Sequence, residues 1–273
     1  MLKLIMSDVD GTLVPDGEDG IPSELFETIR TLKARGIVFA VCSGRSYHSL
    51  KVLFEPVVDD IIFCCENGGY VKCRDYVIRE HRMNPKDVRA LILESRGIDR
   101  IIPCLCTPDC MYIERGDAEA KRWFIEGYKM NAVFTDDLLK CPLDHVIKFA
   151  VLDRLGVRNN AKKRFNPAWW ERMHIAESGF DWLDFTDRGV TKGRAVRDIQ
   201  NFLDIKYEET MVFGDNHNDI PMMKEAKYSF AVANARDEVK AVSNYRTASN
   251  TEQGVLKVLR HVLKGNYSFD ELD

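Results

Sequence analysis

Leu2-Lys3-Leu4-Ile5-Met6-Ser7 runs directly into Asp8-Val9-Asp10-Gly11-Thr12-Leu13-Val14. A short apolar run that stops at turn residues reads as a buried strand, and the two aspartates sit where it ends. Like charges so close repel, so a fold that keeps them together has a cation or a proton to share between them. A solvated acidic turn is the plainer alternative, because Asp and Gly are ordinary turn residues. A calcium loop counted from Asp8 fails: Leu13 stands where that loop needs glycine, and Asp19 where it needs a bidentate glutamate.

Outward from this strand, Leu25, Ile29 and Leu32 recur at helical spacing, predicting a helix over 23–35 with Ser23 as its cap and Gly36 at its end. Ile37–Cys42 is a second continuous apolar strand, and strand, helix, strand with both strands apolar throughout is the mark of a parallel sheet covered on both faces. A helix at 46–54 and the strand Ile61–Cys65, closing on Glu66-Asn67-Gly68-Gly69, make a third such unit. The pattern then changes. A hairpin at 70–73 and 76–78, a helix from Asn84-Pro85 to about 96, strands near 100–105 and 110–114, a helix near 118–129, a strand at 145–152, a helical stretch at 158–172 and strands at 173–177 and 181–186 form a mixed set. From Lys192 the alternation returns, with helices at 192–203, 219–226, 236–242 and 252–263 and strands at 210–213 and 229–232. The expected fold is therefore α/β: a Rossmann-like, doubly wound parallel-sheet core from residues 1–81 and 187–273, interrupted by an inserted α+β domain over 82–186.

The 273 residues, 45% hydrophobic and 30% charged, suit a folded soluble protein. A net charge of -4 argues against a nucleic-acid partner, which would call for a basic stripe. The acidic pair interrupts the N-terminal apolar run too soon for a signal peptide, and no stretch approaches the length of a membrane span, so the expectation is a cytoplasmic protein without a membrane partner, monomeric or weakly dimeric. The eight cysteines read as reduced thiols. Cys104, Cys106 and Cys110 lack the paired spacing and the nearby histidine of a zinc site.

In open α/β sheets ligands collect beyond the carboxyl ends of the strands. The residues there are Asp8 to Thr12, Ser43-Gly44-Arg45 and Gly214-Asp215-Asn216-His217-Asn218-Asp219, and Thr191-Lys192-Gly193 opens a helix. Carboxylates, hydroxyls, one amine and helix-start N–H groups together suit phosphoryl transfer: a carboxylate can attack phosphorus, while a divalent cation, a lysine and N–H donors take up the charge on the transferred group. Magnesium fits a site of few carboxylates completed by substrate phosphate and water.

With D-x-D-G-T at 8–12, S-G-R at 43–45, E-N-G at 66–68, K-G at 192–193 and G-D-x-x-N-D at 214–219, the chain resembles the haloacid dehalogenase superfamily of aspartate-nucleophile phosphatases, in particular its Cof-like subgroup with a type IIB cap. The resemblance implies that Asp8 is the nucleophile and Asp10 the general acid and then base. It implies that Asp8, the Asp10 main chain and Asp215 hold Mg2+, with Asp219 behind them. Ser43, the N–H groups beside it at Gly44, Lys192 and Asn218 would bind the phosphoryl group of a small phosphomonoester, with sugar phosphates the leading class. Arg45 stays open between phosphate and an acidic neighbour, Asn67 is a candidate for shaping the site, and His217 falls on an unspecified motif position. In the family the cap makes the leaving-group contacts; Arg115, Lys148, Trp169, Trp170 and Trp182 are candidates, with a core role the commoner one for the aromatics. A phosphotransferase or phosphomutase, and a catalytically silent binder of phosphometabolites, are the alternatives.

Overall fold

The computed structural model describes residues 1–15, 20–114, 118–122, 124–125, 131–178, 181–265, 267 and 269. Two compact units emerge, one of Met1–Arg45, Leu50–Arg79 and Thr191–Asp273, the other of Ser46–Ser49 and Glu80–Val190.

The first unit is built on β1 (Leu4–Ser7), β2 (Val38–Cys42), β3 (Ile61–Cys65), β4 (Tyr70–Cys73) and β5 (Tyr76–Glu80). The second supplies β6 (Ile101–Cys106), β7 (Met111–Glu114), β8 (Ala132–Thr135), β9 (Lys148–Asp153), β10 (Met173–Ser178) and β11 (Trp182–Asp187), and the chain returns to the first with β12 (Thr210–Gly214), β13 (Tyr228–Val232) and β14 (Tyr245–Thr247).

In the first unit the strand order is β14-β13-β12-β1-β2-β3-β4-β5. The strands from β14 to β3 pair in parallel, and β4 turns antiparallel to β3. β1, β3 and β12 are buried along their whole length, which is why their sequences are apolar runs without alternation. From β1 the chain winds outward in both directions, and right-handed crossovers then put the two sets of helices on opposite faces. Helix Ser23–Ala34 packs on Gly254–Leu263, and Lys192–Leu203 on Ile220–Met223. The winding reverses at β1, and a sheet of this kind opens its crevice there.

The second unit is a sheet of order β10-β11-β9-β6-β7-β8, antiparallel except for the parallel pair β7 and β8. Phe149, Val151, Leu183 and Phe185 from its strands bury one core with Val88, Leu91 and Ile92 of helix Pro85–Ser95. Among the described residues no helix is long and apolar enough to cross a membrane.

Several local expectations need correction. Ser23 is the first residue of its helix rather than its cap, and Pro22 precedes it without a side-chain cap bond. The stretch 158–172 holds two single turns, Ala161–Arg164 and Trp169–Arg172, because Asn166 precedes Pro167 and that position disfavours helix. The expected helix at 219–226 is a short turn, His217–Asp219, followed by Ile220–Met223. β8 and β14 carry too few residues to show a period. Of the helix expected near 118–129, Ala118–Arg122 is helical, while 123 and 126–129 lie outside the described residues, as does Arg115.

Candidate active site

The loops that leave β1, β2, β3 and β12, together with the start of helix Lys192–Leu203, bring most of the predicted side chains to the carboxyl end of the sheet. Asp8 directly follows β1 and is buried, and its N–H bonds Phe213 O of the neighbouring β12 at 3.0 Å. Lys192, 1% exposed, opens its helix behind a Thr191 cap and reaches Asp8 Oδ1 at 2.5 Å and Asp219 Oδ1 at 2.6 Å. The other oxygen of Asp219 accepts the N–H groups of Asp215 and Asn216, both at 2.9 Å. Asp219 is thus satisfied by protein donors on both sides.

Thr12 ties the first aspartate to the third. Its hydroxyl lies 3.2 Å from Asp8 Oδ2 and 2.8 Å from Asp215 Oδ1. Gly11 lets Asp215 approach: its φ is +82° and it has no side chain to fill the space where that carboxylate sits. Gly214 does the same for Asp219, whose carboxyl carbon would lie 2.6 Å from a β-carbon there.

Electrostatics follow from this crowding. Burial, then the nearby Asp219, pushes the Asp8 carboxyl well above the ordinary aspartate range, against the pull of Lys192. Burial likewise raises Asp215, with Asp219 adding to it and Thr12 opposing. Burial works against the charge on Lys192, but Asp219 and Asp8 outweigh it and hold the ammonium firmly protonated.

Asp8, Asp215 and Asp219 each offer one oxygen, all within 4.8 Å of one another. Asp10 stands near this group, and among the described residues Lys192 and Arg45 are the cations paired with these four carboxylates. An all-oxygen donor set of clustered carboxylates fits a small, hard divalent cation.

Asp10 is placed differently from Asp8. The Arg45 guanidinium grips it, with Nη2 2.7 Å and Nε 3.2 Å from Oδ1 and Nε 3.0 Å from Oδ2. Ser43 Oγ stands 3.5 Å from Asp10 Oδ2 and accepts the Arg45 N–H at 3.1 Å. Arg45, left open by the sequence, therefore has an acidic neighbour. Gly44 lies against Asn67, whose Nδ2 would be 3.3 Å from a β-carbon at residue 44. Asn67 in turn accepts a bond from Asn218 Nδ2 at 3.0 Å and holds a left-handed backbone, φ 56°. His217 points to Glu238, 3.5 Å away.

Sequence reasoning gave no role to Thr12 or Asn234. The Thr12 signal was present in D-x-D-G-T; Asn234, which donates to Gly11 O at 2.7 Å, carries none. In the second unit Trp169 is buried and donates Nε1–H to Glu94 at 2.7 Å, and Trp170 packs on the same core. Trp182 meets Phe124 edge-on at 5.7 Å, and Lys148 is buried 3.4 Å from Asp184.

Comparison with known proteins gives the family. The chain is 30% identical over 273 residues, 99% of each protein, to the 5-amino-6-(5-phospho-D-ribitylamino)uracil phosphatase YbjI of Escherichia coli. It is 25% identical over 268 residues, 98% of each, to phosphoglycolate phosphatase 1 of Saccharolobus solfataricus. A solved structure from Eubacterium rectale superposes with a TM-score of 0.88 at 31% identity, covering 96% of this chain and 99% of that one. A subclass IIB sugar phosphatase shares the fold, with a TM-score of 0.78 at 24% identity, covering 95% of this chain and 98% of that one. The family model for haloacid dehalogenase-like hydrolases matches residues 5–259, and the chain belongs to that family.

Proposed function

We propose that the chain, a phosphatase of the haloacid dehalogenase-like family, is magnesium-dependent and hydrolyses a small phosphorylated metabolite of the sugar-phosphate class through an aspartyl-phosphate on Asp8. The observation that carries this reading is the buried set of Asp8, Lys192, Asp215 and Asp219 closed around one point. Relatives whose names specify phosphoribityl and phosphoglycolate esters support a small phosphorylated metabolite as the substrate.

Asp8 is the nucleophile: its carboxylate attacks phosphorus and the leaving alkoxide departs. Lys192 balances charge on Asp8 and on the phosphoryl oxygens, and Asp219 holds Lys192 in place from behind. Asp10 gives a proton to the leaving oxygen and then takes one from the water that cleaves the acyl-phosphate. Ser43, the N–H groups of its turn at Gly44, and Asn218 bind the phosphoryl oxygens. Asp8, the Asp10 main-chain carbonyl and Asp215 would hold Mg2+, which when bound neutralises phosphoryl charge. The inserted domain expected over 82–186 serves as the cap that selects the leaving group.

A panel of phosphomonoesters assayed for phosphate release with and without MgCl2 tests the reading. Release should require the metal, vanish in Asp8→Asn and fall at least about a hundredfold in Asp10→Asn. No release from any member of a broad panel overturns it.

A further inference from the structure

The side chain to which the mechanism gives the proton has no carboxylate oxygen without a guanidinium donor. Arg45 donates to Asp10 on both oxygens, at 2.7 to 3.2 Å. A carboxyl held in this way is turned to the guanidinium and away from a leaving alcohol, so substrate must change the pairing before Asp10 can act.

Three observations say how. First, the pair is not a structural necessity: Asp10 and Arg45 are 31% and 21% exposed in their side chains, so water supports each charge and the bridge adds little to stability. Second, the turn that carries Arg45 is fixed through its backbone. Ser43 N bonds Cys64 O at 3.0 Å, Glu66 N bonds Arg45 O at 3.1 Å, Asn67 N bonds Ser43 O at 2.9 Å, and Arg45 N bonds Ser43 Oγ at 3.1 Å. The side chain can change partner while the turn stays where it is. Third, the planar fork that matches two carboxylate oxygens matches two phosphoryl oxygens equally well, and a phosphate dianion attracts it more strongly than a single carboxylate.

We propose that Arg45 is a phosphate-binding residue that exchanges Asp10 for two oxygens of the phosphoryl group when substrate arrives, and that this exchange frees Asp10 for the leaving oxygen. The proposal rests on the phosphatase reading above. The guanidinium is never left without an anion, since it trades one for another. Binding of the phosphoryl group and readiness of Asp10 thereby become one event, and differential affinity of phosphate for the exchanged state drives it.

Titration with inorganic phosphate by calorimetry, with MgCl2 present, separates phosphate binding by Arg45 from an effect transmitted through Asp10. The proteins are wild type, Arg45→Met, Asp10→Asn and the double variant, with circular dichroism to establish that each is folded. Arg45→Met should weaken phosphate at least about tenfold, the size expected for lost charge-assisted hydrogen bonds, and the same loss should recur in the Asp10→Asn background. Arg45→Lys should restore only part of it, because an ammonium lacks the fork. If the double variant binds phosphate as well as Asp10→Asn alone, Arg45 acts only by holding Asp10, and the exchange is overturned while phosphate release by the wild type still upholds the phosphatase reading. A folded wild type that neither binds phosphate nor releases it from any ester overturns both.

Discussion

The carboxylate of Asp215 lies so close over Gly11 that a β-carbon at residue 11 would stand 2.5 Å from Asp215 Oδ2. Gly11 also holds a φ of +82°, where side chains with a β-carbon are strained. Gly11→Ala should therefore displace Asp215, weakening Mg2+ at least about tenfold in a calorimetric titration, and should cost about 1–3 kcal/mol in chemical denaturation. Unchanged metal affinity would mean that Asp215 is not a ligand.

Lys192 is the cation between two buried carboxylates, and removing one partner of a buried ion pair costs about 3–5 kcal/mol. Lys192→Met should lose that much stability at neutral pH and all measurable turnover. Part of the stability should return as the pH is lowered, because Asp8, whose carboxyl burial already raises, takes up a proton in place of the lost cation. A variant as stable as wild type at neutral pH would show that the pair carries no net stabilisation.

Asp8 and Asp215 both have carboxyls raised above the ordinary aspartate range, chiefly by burial. In the metal-free protein the folded state then holds more protons than the unfolded one, so the contribution of these groups to stability falls as pH climbs from the ordinary aspartate range toward their folded values. Cations compete with those protons, so the rise in thermal midpoint caused by MgCl2 should grow between pH 5 and pH 7.5. A shift that is constant over that range contradicts the assignment of these carboxylates to the metal.

Five of the eight cysteines, Cys42, Cys64, Cys65, Cys104 and Cys106, are buried, whereas Cys73, Cys110 and Cys141 are half-buried. Burial pushes the thiols of Cys42 and Cys65 up, away from the reactive thiolate. Brief treatment of the native protein with iodoacetamide at pH 8, followed by peptide mass spectrometry, should label the half-buried three and spare the other five until denaturant is added. Early labelling of Cys42, which directly precedes the Ser43–Arg45 turn, would reveal local opening there.

The sequence was most legible where one signal sufficed. Helix Lys192–Leu203 starts and stops where its Thr191 cap and its apolar spacing say it should. β1, β2, β3 and β12 show as apolar runs because both faces are buried. β14, only Tyr245–Thr247, has no room for a pattern, and Pro167 breaks a stretch whose spacing alone continues as helix. The meeting of Asp8 with Lys192 and of Asp215 with Asp219 followed from the order of motifs and strand ends. The grip of Arg45 on Asp10 did not, because two chemically sensible partners were open to that side chain and the folded chain decides between them. Thr12 stood in the D-x-D-G-T motif, but its partner Asp215 lies 203 positions away, so the bond between them could not be read from the motif.

That span has a consequence for how the protein is born. β1 lies between β2 and β12 in the sheet, yet the partner on its second flank is encoded about two hundred residues later. At roughly 5–20 residues per second, a ribosome takes about 10–40 s to make that stretch. Throughout that interval a strand buried in the finished protein presents a bare row of amides and carbonyls, the kind of edge that invites pairing with the wrong chain. The segment made meanwhile, 80–190, includes a complete sheet of its own, so it has the means to fold while β1 waits.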